Sequence, residues 1–347
     1  MNIIDLRSDT VTLPTPQMRK AIFNAELGDD VYGEDPTTNR LEELSAQRLG
    51  TEAALLVPSG TMANLISVLC HCNRGTEAIL GDQAHIFYYE CGSVAAVGGV
   101  HPHVLPNQKD GTIRLEDIEK AIRLENVHFP HTKLICLENT HNRCKGAVLN
   151  AAYIDSVVKL AKKHDIAVHM DGARIFNAAI ALGVDVKELV ENVDSVSFCL
   201  SKGLSAPVGS IICGSEDFIY KARRIRKSVG GGMRQTGIIA AAGIVALEQM
   251  VDRLVEDHDN ARKLGKGIDE IDGLSIDLST VQSNMVFFSL DTDKITTEEM
   301  VQHCLTKGVS FLNLDSISFR MVTHYGITSS DIDKAMEIIS SVMKTYG

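Results

Sequence analysis

The stretch SFCLSKGLSAPVG, residues 197–209, places Ser201 and Lys202 at the end of an apolar run, Val196 to Leu200, that reads as a buried strand. Small residues follow: Gly203, Ser205, Ala206 and Gly209. Lysine ordinarily lies on a solvated face. At the mouth of a core strand it either caps a loop or holds its amine for chemistry, and the rest of the chain has to decide which.

Outward from this point the chain alternates strand and helix patterns. TKLICLEN (132–139), DIAVHMDG (165–172), DSVSFCLS (194–201) and GSIICG (209–214) are four buried-strand candidates. Upstream, RLEELSAQRLG (40–50) has the apolar spacing of an amphipathic helix, AALLV (53–57) reads as a short strand, and PSGT opens a helical run over 62–70. EAILGD (77–82) precedes a helix expected near 85–97, then an extended stretch at 99–106, a turn at Asp110-Gly111 and a helix over 115–125. This alternation predicts an α/β fold with a mainly parallel sheet and helices on both faces. Ligands bind such sheets beyond the carboxyl ends of the strands. A long helical pattern over 236–265 leads to a smaller α+β region with strand candidates at 283–290 and 316–323. The expected division is therefore 1–250, an N-terminal arm and large domain, and 251–347, a small C-terminal domain.

Composition narrows the function classes. The 347 residues are 44% hydrophobic and 23% charged, with no tryptophan, as in an ordinary globular protein. A formal charge of −11 argues against nucleic acid or an anionic membrane as the main partner. The opening MNIIDLRSDTVTLPT carries acids early and lacks the basic-then-apolar pattern of a secretory signal. Eight scattered cysteines suit a reducing compartment, so a cytoplasmic location is expected. CHC at 70–72 has no second ligand pair at zinc-like spacing, so no transition metal is expected there.

Three strand ends carry the parts of a cofactor site. Ser59-Gly60-Thr61 starts a helix, where exposed N–H groups and hydroxyls form a phosphate cradle. Asp171 in HMDGAR ends an apolar strand, where an unpaired carboxylate is costly and calls for a cation or donor. Lys202 ends the next strand candidate, 31 residues on, one helix plus one strand away. No GxGxxG follows a strand and there is no GxxxxGK[ST], which removes the dinucleotide and P-loop readings. A lysine amine, an aspartate and a phosphate cradle at one sheet edge are what pyridoxal phosphate requires: a Schiff-base lysine, a carboxylate on the pyridine nitrogen, and an anion site.

Seven ordered stretches carry a family resemblance: LRSDTVTLPT (6–15), DDVYGEDPTTNRLE (29–42), PSGTMAN (58–64), ENTHN (138–142), HMDGARIFNAA (169–179), SKGLSAPVGS (201–210) and GGGMRQ (230–235). With them the sequence resembles the threonine aldolases, a pyridoxal-phosphate family of the aspartate-aminotransferase fold (fold type I). That fold has a large domain with a seven-stranded, mainly parallel sheet and a small C-terminal α+β domain. The resemblance implies that Lys202 bonds the cofactor, Asp171 faces its ring nitrogen, His85 stacks on the ring, and Ser59, Gly60 and Thr61 hold the phosphate. It also implies that Ser8, Arg174 and Arg320 bind the substrate carboxylate, with Arg174 also counted at the cofactor, and that Tyr89 lies near the substrate side chain. Lys227 and Arg234 would reach the phosphate of a neighbouring subunit in a homotetramer built from dimers with shared active sites.

The implied reaction is retro-aldol cleavage of threonine or allo-threonine to glycine and acetaldehyde, with His85 or His128 as the base. A structural cation near Thr10, Thr12 and Ser201, as in some relatives, is a further implied feature. His141, His169 and His324 read as structural. The sequence departs from the family pattern at Ser205, where glycine is usual, and at Arg143 and Lys145, where small or apolar residues are usual. The alternatives are a serine hydroxymethyltransferase-like enzyme, a β-eliminating lyase, or a non-catalytic ligand-binding homologue.

Overall fold

The computed structural model describes residues 3–346. After a two-residue strand, β1 (Ile4–Asp5), the strands β2 (Ala53–Val57), β3 (Glu77–Gly81), β4 (His101–Leu105), β5 (Thr132–Glu138), β6 (Ala167–Asp171), β7 (Ser195–Cys199) and β8 (Ser210–Gly214) follow in turn. The last seven form one sheet in the order β2-β8-β7-β6-β5-β3-β4. β8 runs antiparallel to both neighbours, and every other pairing is parallel. The reversal has a simple cause. Ten residues without a helix link β7 to β8, fewer than a parallel crossover needs.

The continuous apolar strands are buried along their length because helices cover both faces. Helix Gly60–His71 follows β2 and is capped by Ser59, whose side chain accepts the Met62 N–H. Since β2, β5, β6 and β7 point the same way, the residues following them meet at one edge of the sheet. The large core packs Leu56, Ile135, Val168, Val196, Phe198 and Ile211 against the flanking helices.

The C-terminal part carries a four-stranded antiparallel sheet of β9 (Leu274–Ser275), β10 (Met285–Leu290), β12 (Leu312–Asn313) and β13 (Ser318–Val322), in the order β12-β13-β10-β9. Its own core joins Phe288, Phe311, Phe319 and Ile339. β1 pairs in parallel with β11 (Val309–Ser310), and Ile4 and Leu6 are buried in this second core. The start of the arm, grouped by sequence with the large domain, is thus bound into the C-terminal core by backbone pairing. No helix among the described residues is long and apolar enough to cross a membrane.

Three expected helices are modified. The single helix near 85–97 is two short ones, His85–Tyr88 and Ser93–Ala96, because Cys91 and Gly92 both adopt positive φ (54° and 62°) and turn the chain. The 115–125 helix ends at Ala121. The 236–265 pattern runs as Gly237–Val245, widens into a π-helical turn over Ala246–Met250, then breaks and resumes at Leu254–Asp269. Arg48 donates to the Leu247 carbonyl of the widened turn at 3.0 Å, the kind of side-chain insertion that interrupts a helical ladder.

Candidate active site

Lys202 emerges two residues past Leu200 in a loop fixed by its own carbonyl, which accepts from Ser205 N at 2.8 Å and Thr12 Oγ1 at 3.2 Å. Among the described residues no side chain pairs with its half-buried amine. Asp171 is the last residue of neighbouring β6, and its side chain is buried. Its Oδ2 accepts from Asn64 Nδ2 at 2.8 Å and its Oδ1 from Ala173 N at 3.1 Å. Gly172 lets β6 end this close to β7, since a Cβ there would lie 2.7 Å from the Ser197 carbonyl oxygen.

His85 begins the short helix after β3. Its backbone N–H donates to Glu138 Oε2 at 2.7 Å, and its Nδ1 lies 2.7 Å from Glu90 Oε1. Burial disfavours charge on the imidazole, but the Glu90 hydrogen bond and the nearby Asp171 charge outweigh it and hold the pKa above the ordinary value. The Tyr89 ring lies 5.5 Å away, and Arg143 donates to the Tyr89 hydroxyl at 3.0 Å while stacking 3.8 Å over Tyr88.

The N-terminal arm meets two arginines, through Asp9 and the Arg7 carbonyl. Arg174 Nε and Nη2 donate to the two Asp9 oxygens at 2.7 and 2.6 Å, both side chains being buried. Burial alone would raise the Asp9 pKa, but Arg174, Lys202 and Asn284 lower it to about 2. Arg174 therefore has two donors committed inside the protein, which leaves Nη1 for a ligand. Arg320 comes from β13. It donates from Nη1 to Asn142 Oδ1 at 3.1 Å and from Nη2 to the Arg7 carbonyl at 3.2 Å, while its Nε is buried with no partner among the described residues. Burial and the like charge of Arg174 lower its pKa. Ser8 sits between Arg7 and Asp9, with its Oγ accepting from Thr10 N and Thr10 Oγ1.

Not every expected residue joins this cluster. His128 lies in the exposed loop before β5, at the amino-terminal edge of the sheet, whereas Lys202 is beyond the carboxyl edge. The six steps of β5 separate those edges by about 20 Å. Within one chain His128 is therefore away from the site. Arg234 pairs with Asp29 at 3.0 Å and Lys227 is exposed; neither contacts the Lys202 cluster among the described residues. Thr12 Oγ1 is already donated to the Asp9 and Lys202 carbonyls.

Sequence reading missed Asn64, Glu90, Asp9, Glu138 and Asn142. Asn64 donates to Asp171 and to Glu90 Oε1, each at 2.8 Å, and its Oδ1 accepts from Ser197 Oγ at 3.1 Å. His169 Nε2, at 3.2 Å, must carry the hydrogen here, because an amide oxygen only accepts. His169 is thus a neutral second support of Asn64. Burial lowers its pKa to about 3. The available signal was polarity out of place: Asn64 interrupts an apolar helix face, and Glu90 ends an aromatic run.

These residues fit pyridoxal phosphate. The unpaired Lys202 amine suits an aldehyde, and Asp171 is a buried carboxylate that suits a protonated ring nitrogen. The Gly60 and Thr61 N–H groups at the start of a twelve-residue helix suit a phosphate. The bare Nε of Arg320, beside Arg174, suits a carboxylate.

The β-eliminating lyase family profile matches residues 5–291. The chain is 48% identical over 349 residues to low-specificity L-threonine aldolase 1 of Arabidopsis thaliana, covering 99% of this chain and 98% of that one. It is 42% identical over 330 residues to the low specificity L-threonine aldolase of Escherichia coli K12, covering 95% and 96%. Among solved structures, the threonine aldolase of Leishmania major aligns with a TM-score of 0.83 at 18% identity, covering 98% and 99% of the two chains. Sphingomonas wittichii serine palmitoyltransferase aligns at 0.77 and 18%, covering 99% and 88%; at such identities these two likenesses speak for the fold. By its profile and its full-length relatives, the chain belongs to the β-eliminating lyase family and, within it, to the low-specificity threonine aldolases.

Proposed function

We propose that the protein cleaves L-threonine, L-allo-threonine and related β-hydroxy-α-amino acids to glycine and the matching aldehyde, using pyridoxal phosphate. The observation that carries this reading is the unpaired Lys202 amine beside the Asn64-held Asp171, facing the buried Arg174 and the half-buried Arg320, whose Nε is bare. When bound, the cofactor supplies an electron sink for the pair released from the broken Cα–Cβ bond.

The chain's own residues do the rest. Asp171 keeps a negative charge opposite the ring nitrogen, and Asn64 fixes its orientation. Gly60 and Thr61 N–H groups, with Ser59, receive the phosphate. Arg320 grips the substrate carboxylate through Nε, with Arg174 Nη1 and Ser8 alongside, and so sets which Cα bond is aligned for cleavage. His85 takes the β-hydroxyl proton, directly or through a water, as the O–H pair becomes the aldehyde C=O bond. Positioned proton transfer of this kind is worth roughly 10²–10⁴-fold. Tyr89, braced by Arg143, borders the β-substituent.

The assembly belongs to the same proposal: a homotetramer built from dimers with shared active sites. Phe23, Tyr32 and Phe87 are exposed apolar side chains in one chain, and a second copy would bring Lys227, Arg234 and His128 to a neighbour's site. Eight unpaired cysteines support a reducing, cytoplasmic setting. Incubation with L-threonine and a coupled aldehyde reductase tests the reaction: equimolar acetaldehyde and glycine are expected. 2-Oxobutyrate and ammonia would indicate β-elimination of water instead, and a folate requirement a hydroxymethyltransferase.

A further inference from the structure

Glu90 is a buried carboxylate, 1% exposed, that closes the short loop after His85. The positive φ of Cys91 and Gly92 turns the chain immediately after it and directs its side chain inward. Oε1 receives His85 Nδ1 at 2.7 Å and Asn64 Nδ2 at 2.8 Å, while Oε2 is buried with no partner among the described residues. A half-bare carboxylate in such a place is costly unless a positive charge stands next to it. The adjacent group able to become positive is the His85 imidazole.

We propose that Glu90 is a positioning residue for the aldol cleavage, holding the Nδ1–H of His85 so that Nε2 carries the lone pair that takes the β-hydroxyl proton. The proposal rests on the aldolase reading above. As the substrate O–H bond breaks, its proton moves to Nε2 and the freed oxygen pair forms the aldehyde C=O. The Cα–Cβ bond breaks with its pair left to the glycine fragment, and the imidazolium charge settles against Glu90. Protonation of that fragment at Cα completes glycine, and loss of the Nε2 proton resets the pair. Asn64 ties the same carboxylate to Asp171, so base and ring-nitrogen partner share one rigid support.

The charges around the pair agree with this direction. Facing His85 are Glu90, Asp171, Glu138 at its backbone N–H, and Lys202. Facing Glu90 are His85 and Asp171, with the neutral Cys136 thiol of β5 close by. Burial and Asp171 make Glu90 a weaker acid than usual, and the His85 and Asn64 hydrogen bonds oppose that shift. Both groups thus hold a proton more firmly than they would in water, His85 because Glu90 and Asp171 stand beside it and Glu90 because it is buried.

The test uses Glu90→Gln, which keeps shape and volume, and Glu90→Asp, which keeps charge. Histidine NMR titration of the cofactor-free protein, with the signal assigned by its loss in His85→Gln, reads the pair without catalysis. His85 is expected to titrate about one pH unit or more lower in Glu90→Gln, and close to wild type in Glu90→Asp. In the loaded enzyme, the acid limb of kcat/KM for L-threonine should move down by the same amount, and the plateau should fall at least about tenfold. An unmoved His85 titration would overturn the pairing. A moved titration with an unmoved acid limb would overturn the base role while leaving the aldolase reading intact. Absence of acetaldehyde from the wild type would instead sink the aldolase reading, and with it the role assigned to Glu90.

Discussion

Asp9→Asn isolates the buried pair that anchors the N-terminal arm. The substitution preserves side-chain shape but removes the charge opposite Arg174, which is itself 7% exposed. Two independent routes give its size. The Asp9 pKa is lowered from 3.8 to about 2; at about 1.4 kcal/mol per pKa unit this amounts to roughly 2–3 kcal/mol at neutral pH. Breaking a buried ion pair by removing one partner costs about 3–5 kcal/mol, because the other charge stays behind. Arg320 adds to the penalty, since its like charge already acts on Arg174. A loss of about 2–5 kcal/mol is therefore expected, measured by urea denaturation followed by circular dichroism on protein of fixed cofactor loading. The double variant Asp9→Leu/Arg174→Met should lose less than the sum of its two single changes, by about 2 kcal/mol or more, because it leaves no orphaned charge. Strict additivity, or a single-variant loss below about 1 kcal/mol, would refute the reasoning.

Arg320→Ala removes the guanidinium with the bare Nε and should lower kcat/KM for L-threonine by about 30- to 1000-fold, corresponding to about 2–4 kcal/mol; unchanged kcat/KM removes it from the carboxylate site. Ser205 has φ 63° and a buried Oγ with no partner among the described residues. Ser205→Gly should therefore raise stability by about 1 kcal/mol, seen as a higher Tm, and a lower Tm would contradict this. His71, His169 and His258 are neutral in the fold, with burial lowering their pKa values to about 4, 3 and 4. Their stabilisation is complete above about pH 6.5 and is lost as pH falls toward those values, by up to about 2 kcal/mol each at pH 5. Asp257 acts in the opposite sense: burial raises its pKa to about 6, so stability is gained as pH falls below that. His85, Glu42 and Glu90, whose pKa values are also raised, act in the same sense as Asp257. With the three large histidine shifts dominant, Tm should drop between pH 7 and pH 5, and a flat or rising Tm would contradict that dominance.

What could be read from the sequence follows a physical line. Lys202 and Asp171 were legible because adjacent parallel strands must end at the same edge, and one helix plus one strand fits between them. The helix start at Ser59-Gly60-Thr61 was legible because helix starts have a local signature, here the capping Ser59. Asn64, Glu90 and Asp9 were not, since their meaning lies in partners far along the chain: Asp9 meets Arg174 across 165 residues and Asn64 meets Asp171 across 107. That His128 lies away from the site within one chain was not legible, for a related reason. A loop histidine has no periodicity to fix it, and only the direction of β5 puts it at the far edge. The reversal of β8 was readable in principle from its short connection to β7. The broken helix at Cys91 and Gly92 was not, because nothing local forces a cysteine to a positive φ.

The central claim is that the Lys202 amine bonds the cofactor and makes threonine cleavage possible. Lys202→Ala protein, supplied with excess pyridoxal phosphate and then desalted, should lack the visible absorbance band of the bound wild-type cofactor. It should keep the wild-type far-ultraviolet circular dichroism and release no acetaldehyde from L-threonine above background. Acetaldehyde release at a near wild-type rate from that variant would contradict the account.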